Sequence, residues 1–196
     1  LILKYMNELK FIHITKCAGT TIEELGKKYN ILWGKYHLEY GHWHQPFNEK
    51  TINLINSYDW FVIVRNPYDR IISEYHCKWG GIGSTNQYHS IDGFNTYIQN
   101  KIKYRNIYNY TEKYPYHYME QYKYLVNNCK IYILKFENLK EEFNNLMNQY
   151  NYNIELNIRT NSNKKVYNVN DLSKETINLI NHVYKKDFEL FGYNMI

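Results

Sequence analysis

Apolar residues fall into short runs whose internal spacing changes along the chain. From Lys10 to Thr15, Phe11, His13 and Thr15 alternate with Ile12 and Ile14, which predicts a strand, and from Thr20 to Tyr29 Ile22, Leu25 and Lys28 recur at helical spacing. Residues 31 to 36 read as a second strand, and Glu49 to Tyr58 as a short helix carrying Ile52, Leu54 and Ile55. Trp60 to Val64 is apolar on both faces, as a central parallel strand covered by helices should be. Asn66-Pro67 supplies a cap side chain and a fixed φ for a helix from Pro67 to about Lys78. Glycines 80, 81 and 83 break the chain, and a helix resumes from Ile91 to Ile102. After a Tyr- and Asn-rich loop over 103 to 117, Ile131 to Phe136 predicts a buried strand and Leu139 to Tyr150 a helix. Residues 151 to 170 read as irregular, and Ser173 caps a closing helix with Ile177, Ile180, Val183 and Tyr184 on one face.

Strands alternating with helices predict a three-layer α/β domain with a mainly parallel sheet. At 196 residues the chain fits one domain, 1–196, and no apolar run approaches the roughly 18 to 20 residues that cross a bilayer. A soluble domain of unassigned compartment is expected, cytoplasmic, or luminal if a membrane anchor has been trimmed; oligomeric state is not legible.

Charge narrows the ligand class. The net charge of +5 is spread along the chain without a dense basic block, which favours a small anion over nucleic acid. Cys17, Cys77 and Cys129 are far apart, and His42 and His44 form an isolated His-x-His pair, so neither a disulfide framework nor a metal site is expected. The abundance of Tyr and Asn is a background bias spread over the whole chain. Trp33, Trp43 and Trp79 read as core residues ahead of stacking platforms.

In open α/β sheets ligands bind beyond the carboxyl ends of the strands, where Lys16 and Arg65 both fall. The loop Lys16-Cys17-Ala18-Gly19-Thr20-Thr21 is built of small residues. It can turn successive N–H groups toward one concavity at a helix start, an anion cradle. The plainer alternative is an ordinary strand-to-helix turn with Thr20 as its N-cap. A Walker A loop is excluded, because Lys16 stands four positions before Thr20 instead of directly before it. The second cluster, Arg65 to Ser73, sets an arginine at the end of the central strand and a hydroxyl about two helical turns on, which suits a second phosphate. Its alternative is structural, with Arg70 pairing on the surface with Asp69 or Glu74.

"FIHITKCAGTT" resembles the 5′-phosphosulfate loop, and "VIVRNPYDRIISEY" the 3′-phosphate motif, of sulfotransferases that use 3′-phosphoadenosine 5′-phosphosulfate (PAPS), the carbohydrate branch above all. Weaker similarities run through "EYGHWH", "KFENL" and "VYKKDFELFGY". Thr15 departs from the family, which usually has proline before the lysine. The resemblance implies a P-loop-like fold and PAPS as donor, with no metal. It places the 5′-phosphosulfate over Lys16, Cys17, Ala18, Gly19, Thr20 and Thr21, and the 3′-phosphate on Arg65 and Ser73. A loop over the nucleotide carries Lys164 and Lys165. Lys16 and His42 are the implied catalytic residues, His42 as base, with His44, Glu39, Glu74 and His76 as alternatives. The partner is an acceptor with a free hydroxyl, expected to be a glycan, and not a nucleic acid. Two other readings stay open at this point: a nucleotide or nucleoside kinase, and a catalytically silent anion-binding module.

Overall fold

The computed structural model describes residues 8–34, 44–47, 52–83, 87–106, 116–127, 129–157 and 165–196, without the side chains of 52–54. By its internal contacts the chain divides into two compact units, Leu1–Val64 with Tyr124–Thr160 and Arg65–Lys123 with Asn161–Ile196.

The first unit holds a parallel sheet in the order β1-β2-β3, formed by Leu9–Ile12, Asp59–Val64 and Ile131–Lys135. All six residues of β2 are buried, as expected for a strand paired on both sides. Helices α1 (Gly19–Lys28) and α4 (Leu139–Gln149) belong to the same unit. Phe61 of β2 packs edge-on against Trp33 and Phe143, with ring centroids 5.4 and 5.9 Å away, and lies 4.8 Å from Phe11, its register partner on β1. Aromatic rings thus meet at the centre of this core, each burying more apolar surface than an aliphatic side chain would.

The second unit is helical. Helix α2 (Pro67–Tyr75), α3 (Ile91–Lys103), α5 (Lys174–Val183) and α6 (Lys185–Phe191) close around Ile71, Ile72, Tyr75, Phe94, Ile98 and Tyr184. Ser173 caps α5 by accepting from Thr176 N at 3.2 Å. Asn95 of α3 fixes the approach to that cap, donating to Asp171 O at 2.8 Å and accepting from Ser173 N at 2.7 Å.

Some local expectations change. Residues 31–34 form no strand; buried Trp33 instead donates its indole N–H to Leu9 O at 3.0 Å, and the rest of that segment lies outside the described residues. Ile52–Ser57 is a 3-10 helix inside the span read as an α-helix. Helix α2 ends at Tyr75 instead of near Lys78, because the chain turns over residues 77–83 through Ile82 N to Tyr75 O at 2.9 Å and Gly83 N to Cys77 O at 3.1 Å. Of the loop read over 103 to 117, residues 107–115 lie outside the described residues.

Candidate functional site

Between β1 and α1 the backbone does something L-residues resist. Lys16 and Ala18 both take left-handed conformations, φ 60° and 62°, each costing on the order of 1 kcal/mol or more for a non-glycine residue. Two such residues flank Cys17 in the turn that joins β1 to α1, with Cys17 buried and Lys16 half-buried. The N-cap of α1 is Ala18, not Thr20, and it offers the first turn no side-chain acceptor. No carboxylate stands in that turn, and Thr20 and Thr21 are exposed. The N–H groups and dipole of this helix start therefore have no acidic side chain of their own to satisfy them.

Beneath the loop lies a pair that sequence reading missed. His13 Nδ1 meets Glu23 Oε1 at 2.7 Å, both side chains being buried, and His44 stands edge-on to the His13 ring with centroids 4.4 Å apart. Gly19 sits so close that a Cβ there would lie 2.1 Å from the His13 ring. The signals were a polar residue inside the apolar run 10 to 15, buried just past the end of β1, and an acid beside Ile22 on the inner face of α1, ten residues apart in sequence.

In the second unit, α2 starts in the expected way. Asn66 accepts from Tyr68 N at 3.0 Å and Pro67 opens the helix. Arg65, half-buried just before that cap, has its backbone gripped on both sides by one side chain: Arg65 N donates to Gln121 Oε1 and Gln121 Nε2 donates to Arg65 O, each at 2.9 Å. Asp187 holds Gln121 in turn, accepting from Gln121 N at 2.9 Å and Tyr122 N at 2.8 Å. Burial pushes the Asp187 carboxyl up, against the pull of those hydrogen bonds. No local sequence signal joins residues 65, 121 and 187.

Arg70 corrects the surface-pair alternative. It is fully buried, donating from Nη1 to Met119 O at 2.9 Å and from Nη2 to His117 O at 3.0 Å, with Glu74 Oε1 at 3.8 Å. Ser73 lies half-buried on the same helix. Lys165 stands 3.9 Å from Asp69 in the first turn of α2, while Lys164 lies outside the described residues.

Among the expected bases, His42 and Glu39 also lie outside the described residues. His76 uses both ring nitrogens, Nδ1 to Ile72 O at 2.8 Å and Nε2 from Val166 N at 3.0 Å. Glu74 is buried against His117, whose Nδ1 lies 2.7 Å from Glu74 Oε2. Both are tied into the structure. Of the tryptophans, Trp33 is buried as expected, but Trp79 is 63% exposed because it stands in the turn after α2. Trp43 lies outside the described residues.

A family model described as the sulfotransferase family matches residues 2–194. No curated protein and no solved structure matches the chain.

Proposed function

This chain belongs to the sulfotransferase family, and from that premise we propose that it moves a sulfuryl group from PAPS to an acceptor hydroxyl, with a carbohydrate as the acceptor. The observation that supports the donor is the approach to α1: a left-handed backbone at Lys16 and Ala18 leading into a first turn with no side-chain cap and no acid. Residues 16 to 21 take the 5′-phosphosulfate in this reading. Arg65 and Ser73 take the 3′-phosphate, with Lys165 closing over the nucleotide alongside Lys164.

The acceptor oxygen attacks sulfur in line as the bond from sulfur to the bridging phosphate oxygen breaks. Negative charge builds on that oxygen, and the Lys16 ammonium stabilises it more in the transition state than in the ground state. The acceptor proton passes to His42, whose imidazole is of a type that titrates near neutral pH. The products are a sulfate ester and 3′-phosphoadenosine 5′-phosphate. Charge stabilisation and positioning suffice for this step, as in phosphoryl transfer.

Calorimetric titration with 3′-phosphoadenosine 5′-phosphate tests the assignment. The wild type should bind it in preference to ATP, and Arg65→Ala should weaken it by about ten- to a hundredfold, the loss of a charge-assisted phosphate contact worth about 1.5–3 kcal/mol. Equal binding of ATP, or affinity unchanged in Arg65→Ala, would overturn the donor assignment.

A further inference from the structure

We propose that Glu74, Cys77 and His117 form a binding site for a single zinc ion, placed where the chain leaves α2. A carboxylate oxygen, a thiol sulfur and an imidazole nitrogen from these residues lie within 4.8 Å of one another, and all three side chains are buried. Donors around a tetrahedral zinc, at about 2.0–2.3 Å from the ion, stand about 3.4–3.8 Å from each other. A shift of roughly an ångström or less therefore brings the present set into coordination. Sulfur with nitrogen favours zinc over magnesium or calcium. Two anionic donors offset the ion's charge, with the Arg70 guanidinium 3.8 Å from the Glu74 carboxylate as the remaining buried cation.

A second observation concerns the neighbour of His117. The Tyr118 hydroxyl is buried and has no hydrogen-bond partner among the described residues. An orphaned buried hydroxyl costs about 1–3 kcal/mol, and an ion with three protein donors leaves a fourth position that this hydroxyl, or a water bonded to it, can complete. The donors are also held in advance. Arg70 fixes the His117 carbonyl at 3.0 Å, and the Glu74 carbonyl accepts from Cys77 N at 3.0 Å. Gly80 leaves the room, since a Cβ there would stand 2.4 Å from His117 Nδ1.

The alternative occupant is a proton. His117 paired with Glu74 is a buried ion pair whose imidazole, despite the downward push of burial, is driven up to about 9 by the Glu74 charge and by hydrogen bonds with Cys77 and Glu74. Metal binding would replace that proton and the thiol's, tying the end of the helix that carries Ser73 to the segment around His117. This departs from the expectation of no metal, which the spacing Glu74, Cys77 and a histidine forty positions later could not have contradicted.

The whole chain, purified without chelator, tests the site. Elemental analysis should find about one zinc per chain, and the cobalt-substituted protein should show a thiolate-to-cobalt charge-transfer band with intense tetrahedral d–d absorption. The band should vanish in Cys77→Ser and persist in Cys17→Ser and Cys129→Ser. Wild-type protein with neither bound zinc nor the cobalt band would overturn the site and leave the ion pair. A band that survives in Cys77→Ser would overturn it equally, by placing the metal elsewhere.

Discussion

Helices α1 and α2 each follow a strand of the same parallel sheet, yet they begin in opposite ways. At α2 the chain closes its own helix start: Asn66 caps it, Pro67 has no N–H to satisfy, and Asp69 sets a carboxylate in the first turn. At α1 nothing of the kind is present, since Ala18 has no capping group and the first turn has no acid. In the proposed reading each start holds an anion, by different means. The loop before α1 offers backbone in a strained shape, whereas α2 and its neighbours offer side chains whose positions are fixed by buried polar bonds. Substitutions should therefore act by shape in the first region and by lost partners in the second.

The largest effect should come from Arg70→Ala, which leaves Glu74 beside an emptied site and strips the carbonyls of His117 and Met119 of their donor. Breaking one partner of such a buried charged network costs about 3–5 kcal/mol, read as a lower midpoint in urea unfolding; a loss below about 1 kcal/mol would show that the network is wet. Gly19→Ala comes next. Its Cβ must push the His13 ring aside, costing about 1–3 kcal/mol of stability and distorting the loop, so nucleotide binding in calorimetry should fall by more than the stability loss explains. Wild-type affinity in that variant would mean that the loop's shape is not what binds. The smallest change is Asn66→Ala, a lost cap worth about 1 kcal/mol in thermal unfolding. A neutral result would place the definition of the helix start on Pro67 alone.

Much of this was written locally and so could be read. The run Trp60 to Val64, the Asn66-Pro67 start and the Ser173 cap each declare themselves within a few residues, and the structure puts β2, α2 and α5 there. Long-range partners were illegible. Arg70 looked like a surface residue because a charge on a helix usually is one, but α2 is buried nearly all round and takes the guanidinium inward to backbone carbonyls forty-odd residues on. Thr20 looked like the better cap by residue type, yet the left-handed turn at Ala18 starts the helix before Thr20 is reached. His13 and Glu23 carried a weak signal, two polar residues on otherwise apolar inner faces, which only the fold joins into a pair.

The left-handed residues 16 and 18 also bear on the tempo of the proposed binding. Their conformational cost is met when the chain folds, so an anion held there as proposed does not have to drive those two residues into a rare conformer. The proposed loop should then show its affinity chiefly in how slowly the occupant leaves.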